Sequence, residues 1–263
     1  MEAKNVLLFV IIVVLLFIVV SYISKDVTTL TGLTSAKTMQ KVEATSLQSS
    51  SLSGNTSNFT YSVWFYIDDW NYRYGEEKYV FGRMNTGSTS SNKTLEPCPS
   101  VVLGALENNI IVSLTVFPGQ DTVPRTTTTT TTTTVATDKP STNSIVHSCS
   151  VANVPIQKWV NLLVSVYGRS MDIYIDGKLV RTCVLPGIGK IDANAPVYIT
   201  PNGGFSGWTS KFQYWADSCD PQKAWNIYEA GYGSASMLSS LFGKYSVKVA
   251  LMEDGAENSS FSV

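Results

Sequence analysis

Hydrophobic and polar positions alternate with a period of two along much of this chain. Met171, Ile173 and Ile175 alternate with Asp172, Tyr174 and Asp176, as in a strand buried on one face. Before them, Trp159–Tyr167 is an apolar run rich in Val and Leu, broken by Gly168-Arg169-Ser170. After them, Asp176-Gly177 leads straight into a third run, Lys178–Leu185, which stops at Pro186-Gly187. Asp-Gly suits the two-residue type I′ turn, whose central residues both need positive φ. Pro155–Gly187 therefore predicts a three-stranded antiparallel meander. Upstream, Phe59, Tyr61, Val63, Phe65 and Ile67 share one face of a strand, and Trp64 and Tyr66 lie on the other. Rings on both faces predict a central strand covered on both sides. The same reading predicts strands at Tyr79–Met84, Ser100–Leu106, Asn109–Phe117, Ala195–Thr200, Phe205–Trp215 and Tyr245–Met252, with a turn at Glu107-Asn108. Asp220-Pro221 starts a helix, as N-cap and N1, that ends at Gly231. Ser236–Phe242 predicts a second short one.

Three segments depart from this pattern. Val6–Ile23 is eighteen residues without a charge. As a helix it would span roughly 27 Å, the thickness of a bilayer's hydrocarbon core. No small-x-small cleavage site follows it, so residues 1–24 are expected to be a transmembrane signal anchor with the C-terminal part translocated. Residues 25–58 are rich in Ser and Thr with few apolar residues, and are expected to form a stalk. Residues 118–144 contain nine consecutive threonines, Thr126–Thr134, which have no apolar face to bury. They are expected to form a loop inserted into a sandwich that runs from 59 to 252, followed by a polar tail over 253–263.

Composition agrees with an all-β protein that has a large core: 13 Tyr, 10 Phe and 6 Trp against 15% charged residues. The net charge of −1 gives no electrostatic basis for nucleic-acid binding. A single histidine, His147, argues against His-based metal sites and Ser-His catalysis. Cys98, Cys149, Cys183 and Cys219 allow three pairings. A Cys98–Cys149 bridge would close the base of the threonine insertion and leave Cys183 to pair with Cys219; four reduced thiols are the alternative. At least one disulfide is expected, as suits an extracytosolic domain. Asn55, Asn58, Asn92 and Asn258 stand in glycosylation sequons.

The meander with Pro155, Trp159 and Asp176-Gly177-Lys178 resembles the core of concanavalin A-like lectin/glucanase domains, in their laminin-G-like branch. The stretch Val197–Gly207, then Asp220-Pro221-Gln222 with Ile227-Tyr228, adds to the likeness, which covers 59–231. The wording is most similar to laminin-G-like proteins of large icosahedral DNA viruses of algae and amoebae. The resemblance implies a jelly-roll sandwich, to which the residues add an N-terminal transmembrane helix and one or two short C-terminal helices.

Glycosidases of this superfamily carry a Glu-x-Asp-x-Glu run on one strand, because retaining chemistry needs two adjacent carboxylates. No such run exists here. Asp172 and Asp176 share a face, but Asp176 belongs to the turn, so the protein is expected not to be an enzyme. Relatives that bind calcium do so through oxygen-rich loops, and Asp68, Asp69 and Asn71 are the candidates here, with Asn202 and Asp217 as further ones. Aromatics in loops or at strand ends, Trp70, Tyr72, Tyr74 and Trp208, are candidates for a glycan platform, Trp70 foremost. The resemblance implies a membrane-anchored minor capsid component that links the internal membrane to the capsid shell and contacts other virion proteins; the strand at Tyr245–Met252, beyond the helix that closes the domain, is the expected contact. A surface lectin or adhesin is the alternative.

Overall fold

The computed structural model describes residues 28–47, 57–86, 95–118, 144–233, 248–253 and 256–262. Residues 28–233 form one unit, a sandwich of two antiparallel sheets. Its strands are β1 (Thr29–Thr31), β2 (Thr34–Ser35), β3 (Gln40–Val42), β4 (Phe59–Asp69), β5 (Lys78–Thr86), β6 (Leu95–Leu103) and β7 (Asn109–Pro118). They continue as β8 (Ile145–Ala152), β9 (Trp159–Tyr167), β10 (Ser170–Ile175), β11 (Lys178–Val184), β12 (Gly187–Gly189), β13 (Val197–Ile199) and β14 (Ser206–Trp215). One sheet runs β1-β14-β4-β9-β10-β11, with β2 also on β14; the other runs β12-β7-β6-β5-β13-β3, with β8 also on β7.

The alternation along β4 explains the core. Phe59, Tyr61, Val63, Phe65 and Ile67 point inward and are buried. They join Val160, Leu162, Val164 and Val166 of β9, and Val101, Leu103, Ile110, Val112 and Leu114 from the facing sheet, in one cluster. At its centre the Tyr61 ring lies 5.4 Å from Phe81 and 5.8 Å from Phe212. The β10–β11 turn has the expected form, with Asp176 at φ 50° and Gly177 at φ 72°. Asp176 also accepts a hydrogen bond from the Asn161 backbone N–H (2.9 Å) and pairs with Lys158 (3.1 Å).

The outer face of the first sheet is partly covered by α1 (Pro221–Glu229). Asp220 caps it by accepting from the Lys223 N–H at 2.7 Å. Ala224 and Ile227 bury against Leu163 and Tyr174, and Tyr228 stacks on Trp64 with centroids 5.6 Å apart. Gly177 serves both turn and helix: a Cβ there would meet the Tyr228 Cβ at 3.0 Å.

Three expectations need correction. Residues 28–47 are not a stalk. β1 and β2 pair with β14, and β3 pairs with β13. Ala36, Val42 and Leu47 are buried, and Gln213 donates to the hydroxyls of Thr28 and Thr29. Of these short strands only β3 fully buries a side chain, Val42, and all three are held by backbone pairing, so they leave little trace in hydropathy.

The disulfide joins Cys149 to Cys183, while Cys98 and Cys219 are free and buried. Cys149 lies on β8 and Cys183 on β11, which brings together strands of opposite sheets. Cys98 sits in β6 and Cys219 under the start of α1. Spacing along the chain could not reveal that β8 and β11 meet.

The C-terminal segment is neither a lone strand nor a loose tail. β15 (Lys248–Glu253) pairs with β16 (Ala256–Ser262) as a hairpin in a separate unit. The anchor at Val6–Ile23, the threonine run and the helix at Ser236–Phe242 lie outside the described residues. Among the described residues, no helix is long and apolar enough to cross a membrane.

Candidate functional site

Of the four aromatic candidates, Trp70 is turned inward. It packs against the core with Lys78 Nζ 4.9 Å above its ring, so it is not the exposed platform the sequence suggested. Lys78 is buried there, and desolvation lowers its pKa from the ordinary lysine value. Tyr72 is half-buried and donates its hydroxyl to the Gly203 carbonyl at 3.3 Å. Arg73 hydrogen-bonds the Asn202 carbonyl and pairs with Glu76 at 2.6 Å, and Lys37 lies 4.7 Å above the Tyr72 ring. These contacts tie the 70–77 loop to the 202–203 turn, and the groups that make them are largely spent on one another. Tyr74 is exposed in the same loop.

Trp208 has a different setting. It is 47% exposed on β14, and register places it opposite Tyr66 of β4. Tyr66 in turn stands opposite Trp159 of β9. Three adjacent strands thus carry Trp208, Tyr66 and Trp159 in one row on the sheet's outer face, with neighbours one strand spacing apart. Tyr66 and Trp159 have ring centroids 5.8 Å apart. Tyr232, which follows α1, stacks on Trp159 at 4.5 Å with planes 11° apart, and is itself 44% exposed. Its carbonyl accepts from the Ser210 hydroxyl (2.7 Å), which ties the segment to β14. The sequence exposed the parts of this row but not the row itself. Tyr66 was legible as an outward residue; that Trp159 and Trp208 flank it depends on the order and register of β14, β4 and β9.

The calcium candidates do not converge. Asp69 Oδ1 accepts the Asn71 N–H at 2.9 Å, a local turn contact, and Asp68 is exposed beside it. The Asn202 carbonyl is bonded by Arg73, and Asp217 caps the Ser218 N–H. Among the described residues, no group of three His, Cys, Asp or Glu side chains could hold a metal. These residues do not fit a cation cage, which needs several oxygens aimed at one point. The two carboxylates weighed for catalysis are also engaged: Asp172 accepts from Thr182 at 2.6 Å, and Asp176 serves the turn. Of the sequons, Asn58 accepts the Gly168 N–H at 2.9 Å, Asn258 lies in β16, and Asn55 and Asn92 fall outside the described residues.

Residues 40–216 match the family profile described as the concanavalin A-like lectin/glucanases superfamily, laminin G type. The chain belongs to this superfamily. The match begins inside the segment first read as a stalk, in agreement with the pairing of β3. No curated protein matches the chain. Among solved structures, the chain is similar to the binding domain of botulinum neurotoxin serotype G, with 14% identity over 65% of this chain and 36% of that one, TM-score 0.42. It is also similar to the binding domain of botulinum neurotoxin DC in complex with SialylT, with 14% identity, 66% and 35% coverage and TM-score 0.44. The same toxin domain in complex with rat synaptotagmin II gives 14% identity, 66% and 35% coverage and TM-score 0.43. The chain spans about a third of the length of these toxin chains, and at this level the likeness is one of fold alone.

Proposed function

We propose that the sandwich is a non-catalytic, glycan-binding module, held beside a membrane by the apolar segment at Val6–Ile23. One observation carries the reading: a half-exposed tryptophan, Trp208, aligned with Tyr66 and Trp159 on the outer face of the sheet. Protein cores hide such rings, and a monomer gains nothing in stability from leaving a tryptophan half in water. An indole face flanked by polar ring tips suits a sugar, which presents C–H faces and hydroxyl edges together. Membership of a lectin-containing superfamily supports the reading without specifying the ligand. The engagement of Asp172 and Asp176 in structural contacts favours binding over hydrolysis.

The test is a glycan array probed with the full chain and with Trp208→Ala. Selective binding by the parent that disappears in the variant supports the module; no binding to any glycan overturns it.

A virion component between internal membrane and capsid shell is the second reading, favoured by the viral wording of Val197–Gly207. Its strongest structural motive, a free terminal strand, is weakened because β15 already has β16 as a partner. Cryo-electron microscopy of a native particle separates the two: a buried position under the shell favours the scaffold, and an outward one the lectin.

A further inference from the structure

We infer that the row Trp208–Tyr66–Trp159, with Tyr232 stacked on its end, is the binding surface for an extended, uncharged glycan that lies across the strands and is read mainly by ring stacking. This rests on the glycan-binding reading above and adds where the ligand lies and of what class it is. The first ground is geometry. The three rings come from neighbouring strands, so the surface is a line rather than a pocket, and a line of rings suits several consecutive sugar units. Tyr232 lies nearly parallel to Trp159 and offers an exposed ring at that end of the line.

The second ground is the polar groups. Among the described residues, no protein partner engages the hydroxyls of Tyr66 and Tyr232 or the indole N–H groups of Trp159 and Trp208. These tips are left to bond water or a ligand's hydroxyls.

The third ground is charge. Three lysines on or beside these strands have contacts of their own: Lys158, next to Trp159, pairs with Asp176, Lys37 lies over the Tyr72 ring, and Lys211 of β14 donates to the Gly231 carbonyl. A sulfated or sialylated chain would have to compete with these contacts for a counter-charge. An uncharged chain whose hydroxyls are equatorial, and whose C–H faces are therefore flat, meets no such cost.

The experiment is isothermal titration of the full chain with chitohexaose and cellohexaose as uncharged probes, and with heparin hexasaccharide and 3′-sialyllactose as anionic ones. Trp208→Ala, Tyr66→Ala and Tyr232→Ala are compared with Tyr74→Ala, whose ring is exposed in the loop away from the row. Circular dichroism verifies that each variant is folded. An uncharged hexasaccharide is expected to bind, with each row variant weaker by roughly three- to tenfold, the worth of one aromatic contact, and Tyr74→Ala unchanged. If an uncharged probe binds folded Trp208→Ala and Tyr66→Ala as well as the parent, the row is not the site, although glycan binding stands. Binding of the anionic probes alone overturns the ligand class. Silence towards all four probes, together with a glycan array without hits, brings down the glycan reading itself, and a hit elsewhere on the array brings down only this inference.

Discussion

Strand β4 carries aromatic rings on both faces, and the two faces are closed in different ways. The inward rings of Phe59, Tyr61 and Phe65 are sealed by a complete second sheet and are at most 1% exposed. The outward rings are covered by a helix nine residues long, and cover runs out along the strand. Trp64 lies under Tyr228 and Tyr232 and is 4% exposed; Tyr66, two residues on, is half-buried; Trp208 beside it is 47% exposed. A sheet buries every ring it faces, whereas one short helix leaves an edge. Aromatic residues are therefore fully enclosed on one side of β4, while on the other the enclosure fades from Trp64 to Trp208. The first prediction tests the inner side. Phe65→Ala should cost about 3–5 kcal/mol, because it removes a fully buried ring and leaves a cavity. Urea denaturation measures this, and a loss below about 1 kcal/mol would mean that the inner face is not the core it looks like.

At the sheet edges the closure is covalent. Cys149→Ser, with its partner changed to Ser as well, should lower stability by about 2–4 kcal/mol, since the bridge constrains the unfolded chain. Burial pushes the thiols of Cys98 and Cys219 up to about 11 each. Both groups lose stability only when pH rises toward the point where a thiol would ionise, so at pH 8 they should stay protonated and resist iodoacetamide until the protein is unfolded. Labelling of all four cysteines in the native, non-reduced protein would refute the Cys149–Cys183 bridge.

The covered part of the outer face depends on one glycine. Gly177→Ala should cost about 1–2 kcal/mol, because the residue sits at φ 72° and its Cβ would press on Tyr228 and Trp225. The informative signature is local. If α1 lifts, the amides of 222–229 should exchange faster with solvent while those of β4 stay protected. Equal loss of protection in both would mean that helix and sheet unfold as one piece, with little contrast between the two faces.

Much of this was legible from residue order. The alternation in Phe59–Ile67 and Met171–Asp176, the Asp-Gly turn and the Asp220-Pro221 cap are local signals, and each has a local cause. The edge strands β1–β3 were not legible, because Thr29–Thr31 and Gln40–Val42 owe their place to backbone pairing with β14 and β13. β8 was hidden for a similar reason: half of its side chains are exposed and only Cys149 is fully buried. The site was half legible. Trp208 could be named as an exposed ring, but Trp70, in a loop full of polar residues, looked more exposed than it is: it packs against the core, with Lys78 of β5 over its ring. The alignment of Trp208 with Tyr66 and Trp159 is long-range, and no single stretch of sequence contains it.

The smallest expected effect on stability is the most telling. Trp208→Ala should change the unfolding free energy by about 1 kcal/mol, roughly half of what full burial of a large apolar side chain contributes, because half of the residue is already exposed. Its backbone pairing to Ser35 and Tyr66 does not depend on the side chain, and half of the ring already faces water. Phe65→Ala, one strand away and facing the opposite direction, should cost several times more. Melting curves of the two variants side by side measure the difference between the faces directly. If Trp208→Ala proves as damaging as Phe65→Ala, the outer ring is part of the structural core, and its exposure has no function to explain. If Trp208→Ala melts close to the parent and still loses its ligand, the same position has been shown to matter for binding and little for folding, which is the separation that a site on an otherwise finished sheet face requires.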